Sequence, residues 1–243
     1  MIVFLGECVK NFYYSMKYIL KGELRLKHVL AQAVQISYDS LPISLTISLI
    51  AAAVITIQVS KQFLMSGADS YVGGSLAVVI IREIAPAFVA LSIGARAGTA
   101  ISAEIGNMQV TEQVDAIKTL KVDPVGYYFA PRIVAAGFTV PMVTLIAELV
   151  GILGGMIVAY MTIGLHPNRY ITSVWQFLFL KDFYVSILKA FCFGIIIADV
   201  CATQGYLTRG GAKDVGVSTT NAAIKSTIYL LIADFIINFF FYL

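Results

Sequence analysis

Charged residues in this chain fall in clusters, and the apolar runs between them have the length of a bilayer's hydrocarbon core. Leu41 to Ser60 passes twenty residues without a charge, between Asp39 and Lys61. That is enough helix to cross about 30 Å of hydrocarbon. A turn-rich loop, MSGADSYVGG, follows. The next apolar run starts at Ser75 and reaches about Ala103, interrupted by Arg82, Glu83 and Arg96; a third, Ile133 to Leu165, is broken only by Glu148. Two more end the chain. The pattern predicts an all-α polytopic membrane protein with five transmembrane helices, at about 41–63, 75–105, 130–165, 183–204 and 222–243.

Residues 1–40 have a different pattern. Leu5, Val9, Phe12, Met16, Ile19 and Leu20 share one helical stripe, with Lys10, Lys17 and Lys21 opposite. This predicts an interfacial amphipathic helix lying on the membrane, ahead of one transmembrane domain over 41–243. The apolar Met1 to Leu5 is too short for a signal-peptide core, so no cleaved leader is expected.

Between the second and third spans lies the longest low-hydropathy stretch after the N-terminal arm, Ala95 to Pro124. Val110, Val114 and Ile117 repeat there with helical period. Thr111 is the expected N-cap, Glu112 and Asp115 occupy the first turn, Lys118 and Lys121 the last, and Asp123-Pro124 stops the helix. A short amphipathic helix over about 111–121 is predicted. Its apolar stripe must be covered, by the protein's own helix ends or by a groove on a soluble partner, and its well-patterned charged face favours the partner.

Composition agrees with this class: 59% of residues are hydrophobic, 13% are charged and the mean hydropathy is +0.85, outside the soluble range. Eleven Lys and Arg flank the N-terminal, 104–132 and 204–225 segments against three on the opposite loops, Lys61, Arg169 and Lys181. That bias predicts a cytoplasmic N-terminus and an external C-terminus. Cys8, Cys192 and Cys201 form no motif and are read as packing residues.

Ionisable groups at membrane depth are costly and mark function or pairing. By helical rise Arg82 and Glu83 lie about 10 Å below the outer surface, Lys189 at a similar depth and Gln58 slightly shallower. Adjacent helical positions point about 100° apart, so Arg82 and Glu83 cannot neutralise each other face to face. Lys189 is expected to pair with Glu83, leaving Arg82 for an anionic ligand such as a phosphate; a purely structural ion-pair network is the other reading. Arg96, Glu104, Glu148, Asp199 and Asp234 are read as structural charges, Arg96 and Asp199 being placed at similar depth and so able to pair.

Catalytic signatures are missing from the sequence. The glycines at 205, 210, 211 and 216 lack the order of a phosphate-binding loop, there is no GxSxG or HExxH, and His28 and His166 are the only histidines. Neither a metal site nor nucleic-acid binding is expected. The chain is expected to bind and move something, with the energy supplied elsewhere. An ATP-independent secondary carrier or channel is the alternative; it predicts an inverted repeat, which residues 41–110 and 133–243 do not display. A lipid-modifying enzyme would need a metal or nucleophile constellation.

Four stretches resemble the MlaE (YrbE) permease family: REIAP (Arg82 to Pro86), GARAGTAISAEIGNMQVTEQVDAI (Gly94 to Ile117), VDP followed by APR (Val122 to Arg132), and GGAKDVGVSTTNA (Gly210 to Ala222). The resemblance implies the membrane subunit of an ABC transporter that moves phospholipids. It implies a homodimer whose chains each contact an ATPase through the helix around Glu112 to Leu120, with Thr111, Glu112, Gln113, Asp115 and Ile117 in the coupling contact. ATP and Mg would then be bound by the ATPase partner, with no cofactor in this chain. It further implies an external ring of MCE-domain (MlaD-like) subunits and a lipid pocket at the dimer interface, carried by Gln58, Arg82, Glu83 and Lys189. The implied location is a bacterial inner membrane; related permeases also occur in the plastid inner envelope. Lys213-Asp214 and Ile93-Gly94-Ala95 depart mildly from the family's pattern.

Overall fold

The computed structural model describes residues 2–22 and 24–242; Met1, Glu23 and Leu243, which the predicted regions 1–40 and 222–243 include, lie outside the described residues. All regular structure among the described residues is helical. Hydrocarbon offers no partner for a backbone N–H, so a chain this apolar satisfies its main chain within helices. Among the described residues, five helical runs are long and apolar enough to cross a membrane: Leu26–Met65, Asp69–Val110, Pro124–Ile163, Leu180–Tyr206 and Ala212–Tyr242.

The elements, in order, are α1 (Ile2–Leu20), α2 (Leu26–Ser37), α3 (Leu41–Met65), α4 (Val72–Val79), α5 (Ala85–Ile93), α6 (Thr99–Val110), α7 (Gln113–Thr119), α8 (Pro124–Ile163), α9 (Pro167–Phe177), α10 (Leu180–Tyr206) and α11 (Ala212–Tyr242). A 3-10 turn, Tyr38–Ser40, joins α2 to α3, so the first run begins well before Leu41. The second run contains two π-turns, Ile80–Ile84 and Gly94–Gly98. Arg82 and Glu83 occupy the first and Arg96 the second, so three charges of that run stand where the ladder is wound out of register, while Glu104 lies in regular α-helix. Such turns concentrate at functional positions.

The chain forms two compact units, Met1–Ser40 with Ile93–Val140 and Phe191–Leu243, and Leu41–Ser92 with Pro141–Ala190. In the second unit α3 buries Ser44, Ser48, Ala52, Thr56 and Ser60, one residue per turn. All five are small, and small residues let helices approach closely in lipid, where apolar area gives no preference for protein over solvent. Ser44 and Ser92 share a 2.7 Å hydroxyl bond and Ser48 donates to the Ala147 carbonyl at 3.3 Å. Gly151, Gly154 and Gly155 of α8 meet this seam: a Cβ at Gly155 would stand 3.0 Å from the Tyr170 hydroxyl and 3.1 Å from Thr56 Oγ1.

Helix α9 was not read from the sequence as an element. His166 Nδ1 accepts from the Asn168 N–H at 3.4 Å, Pro167 opens the helix, and Tyr170, Ser173 and Val174 are buried. The Ser173 hydroxyl accepts from the Gly74 N–H at 2.9 Å. No Cβ fits at Gly73, which lies against the Tyr170 carbonyl, so glycine there permits a backbone-to-helix approach.

In the first unit α1 buries Phe4, Cys8, Asn11 and Ser15. Leu5 and Val9, on the stripe read as lipid-facing, remain exposed. Thus Phe4, Cys8, Asn11 and Ser15 form the buried stripe, and the apolar stripe beside it is half-buried to exposed. Asn11 donates to the Thr203 hydroxyl at 3.1 Å, and Phe4 stacks on Tyr229 with centroids 6.4 Å apart. The second π-turn approaches α10 at Gly98, beside Cys201, and α6 approaches it at Gly205, beside the Ser102 carbonyl.

Candidate functional site

The charges at membrane depth in the second unit form one connected cluster. Lys189, on α10, is fully buried and donates to Glu83 Oε1 at 3.0 Å and to the Arg82 carbonyl at 2.7 Å. The second bond has a sequence cause. An α-helical partner for the Arg82 carbonyl would be the N–H four residues on, and residue 86 is proline, which has none. Within the REIAP stretch, therefore, the proline offers this carbonyl no i to i+4 donor, and the lysine of another helix donates to it.

Arg82 is not left without an acid. Its Nε donates to Asp182 Oδ1 at 2.7 Å, which corrects the expectation that Arg82 would be the charge left over. Asp182 is 1% exposed, and its second oxygen accepts from the Phe179 N–H at 3.1 Å, tying it to the start of α10. The sequence reading passed over Asp182 because it stands at the edge of the fourth apolar run. A usable signal existed: Asp182, Ser186 and Lys189 follow the i, i+4, i+7 spacing of one helical face. Ser186 in turn donates to Glu148 Oε1, and Glu148 Oε2 is buried with no hydrogen-bond partner among the described residues.

Two acids and two bases therefore alternate along the contact, and exposure divides them. Lys189 and Asp182 are buried, whereas the side chains of Arg82 and Glu83 keep 32% and 43% of their surface accessible. The buried members anchor the accessible ones, an arrangement able to present a guanidinium and a carboxylate to a polar head. Gln58 does not join them. Helix α3 turns it to its exposed side, and no hydrogen bond links it to the cluster among the described residues.

The polar segment of the first unit is built around α7. Thr111 caps the C-terminal end of α6, its N–H bonding the Asn107 carbonyl at 2.9 Å, and is not the N-cap of the next helix. Glu112 takes that place with φ +58°, and Lys121 closes the segment with φ +59°. The reason for the correction is geometric: α6 runs through Val110, so the chain needs a left-handed residue to reverse before α7 can start. Val114 alone of α7 is buried; Gln113 and Asp115 are exposed and Ile117 is half-buried. Lys118 donates to Asp115 at 2.7 Å, and that bond raises the lysine's pKa. Leu120 is 74% exposed, a large apolar side chain without cover at the end of a charged helix.

Arg96 pairs with Asp39 at 2.8 Å and donates to Ser40 Oγ at 3.0 Å, so its acid is Asp39 and not Asp199, the partner that depth alone allows. The 3-10 turn at Tyr38–Ser40 brings an acid and a hydroxyl to the π-turn around Arg96. Asp199 faces a cavity elsewhere in the same unit. Glu104 pairs with buried Arg132 at 2.5 Å.

Five membrane-length helices, a buried charge cluster on a π-turn and an exposed polar helix between two spans define a multi-pass membrane permease. The family described as Permease MlaE matches residues 29–240, and the chain belongs to it. It is 38% identical to a probable ABC transporter permease protein of Synechocystis sp. over 92% of this chain and 83% of that protein. It is 35% identical to a probable ABC transporter permease protein of Rickettsia typhi over 90% and 85%. Similarity extends to the chloroplastic protein TRIGALACTOSYLDIACYLGLYCEROL 1 of Arabidopsis thaliana, 34% identical over 92% of this chain and 64% of that protein. The chain is accordingly a permease of the ABC transporter class, a class that works with an ATPase.

Proposed function

We propose that this permease moves phospholipids between the inner membrane and an MCE-domain partner, as a homodimer driven by separate ATPase subunits. The observation that carries the reading is the Arg82–Asp182 and Glu83–Lys189 pairing, in which a buried acid and a buried base hold an accessible guanidinium and carboxylate at membrane depth. A phospholipid head supplies the matching chemistry: its phosphate suits the fork of Arg82, and an ammonium on the head suits Glu83. Gln58 is assigned to the same lipid path from the partner-facing side of α3.

In this mechanism the phosphate competes with Asp182 for Arg82, so the ion pair opens on loading and re-forms on release. Tails are held by apolar side chains of the spanning helices, which lack any group able to compensate a charge. ATPase subunits dock on α7, where Glu112, Gln113, Asp115 and Ile117 meet a groove of the partner with Thr111 at its edge. ATP and Mg belong to that partner. The N-terminus and α7 face the cytoplasm, following the bias of basic residues.

Two experiments test the reading. Arg82→Glu is expected to abolish phospholipid co-purification and transport while dimer assembly is retained; unchanged lipid loading removes the assignment. Changing Glu112 and Asp115 to Lys is expected to lose the ATPase in a pull-down, and normal recovery of the complex counts against the docking role.

A further inference from the structure

The first unit contains an apolar cavity of about 340 Å³, bounded by α1, α10 and α11. This is within the size range of small-molecule sites. Leu5, Val9, Ile195, Ile196, Ile232 and Ile236 supply most of its wall. Val9 is 63% exposed and Ile232 46% exposed, so the cavity is open at its rim.

Two polar groups interrupt this wall, and neither has a hydrogen-bond partner among the described residues. Asp199 is 6% exposed and its Oδ1 is unsatisfied. The Tyr229 hydroxyl is likewise buried and unsatisfied. Helices pack around them without supplying a cation. Lys225, one turn before Tyr229, bonds Gln204 Oε1 at 2.7 Å and lies 3.7 Å over the Phe4 ring, and no ion pair joins it to Asp199. Cys8, from α1, and Cys201 lie near the carboxylate and carry no positive charge.

A carboxyl group in an apolar wall at membrane depth is costly unless something compensates it. The occupant that satisfies this wall has a hydrocarbon tail for the isoleucines and a donor head for Asp199. An anionic head is repelled, and a plain alkane leaves both polar groups unsatisfied. A primary ammonium meets both requirements, donating to the carboxylate and to the phenol oxygen. We propose that this cavity is a second amphiphile site, which takes an alkyl chain ending in a primary ammonium, with Asp199 as counter-ion and Tyr229 as second acceptor. It does not rest on the phosphate reading of Arg82, because it uses other residues and the opposite charge.

The test uses the purified full chain in phosphatidylcholine nanodiscs, titrated with dodecylammonium and with dodecanol and read by native mass spectrometry. Saturable binding of the amine is expected, at least ten-fold tighter than that of the alcohol. Asp199→Asn should reduce the amine to the level of the alcohol. Ile232→Trp, which fills the mouth without touching the acid, should abolish binding of both and keeps the test decisive if Asp199→Asn does not fold. Replacing phosphatidylcholine with phosphatidylethanolamine identifies the source: displacement of dodecylammonium assigns the site to an aminophospholipid, and undiminished binding to a free lipophilic amine. Equal binding of amine and alcohol, or amine binding unchanged in both variants, overturns the proposal.

Discussion

Lys189 donates to the main-chain carbonyl of Arg82 at 2.7 Å, an acceptor for which Pro86 supplies no N–H in the α-helical i to i+4 pattern. The same buried lysine, on another helix, holds Glu83. A helix defect is thereby converted into a fixed pair of charges. Removing the cation exposes both acceptors to an apolar surround, and the cost follows from that.

Lys189→Met is expected to destabilise the protein by about 2 kcal/mol, below the full value for a buried pair because Glu83 remains partly accessible. Thermal unfolding of the purified protein in detergent checks this. A variant as stable as the parent would mean that the pair contributes only position.

Asp182 competes with any anion for Arg82 in the proposed mechanism, so Asp182→Asn should increase retention of anionic lipid several-fold. Asparagine keeps an acceptor for the Phe179 N–H and therefore the start of α10. Quantifying bound lipid after extraction is the measurement. A fall in retention would show that Asp182 positions Arg82 rather than opposing the ligand.

Glu112 stands at φ +58°, a region that glycine enters without steric cost. Glu112→Gly is expected to stabilise the chain by about 1 kcal/mol while weakening association with the ATPase. Stability and pull-down recovery must move in opposite directions if the residue is kept for contact and not for the turn.

Leu120→Asp should lower ATPase affinity by roughly ten-fold, as loss of an exposed apolar anchor does, with no change in melting temperature. Val114→Asp should instead lower the melting temperature, because Val114 is buried within the chain. Comparing the two by calorimetry and pull-down separates a docking surface from a structural anchor.

Gly155→Leu is expected to cost about 1–3 kcal/mol through overpacking, since even a Cβ there lies close to the Tyr170 hydroxyl and Thr56. Gly211→Leu, with open space at its Cβ, is the control and should leave the melting temperature unchanged.

The order of apolar runs was enough to determine the all-helical class and the five spans, because spacing and charge along a helix are one-dimensional properties that a bilayer reads directly. The charged layer was likewise visible from helical rise, which puts Arg82, Glu83 and Lys189 at one depth before any helix is packed. Depth says nothing about azimuth. Only packing decided that Asp182 meets Arg82, that Asp39 and not Asp199 meets Arg96, and that Gln58 lies on the exposed side of α3. The seam of Ser44, Ser48, Ala52, Thr56 and Ser60 escaped a hydropathy reading for a related reason. In lipid the protein-facing side of a helix is marked by small residues rather than by greasy ones, and tertiary contact is what reveals which side that is.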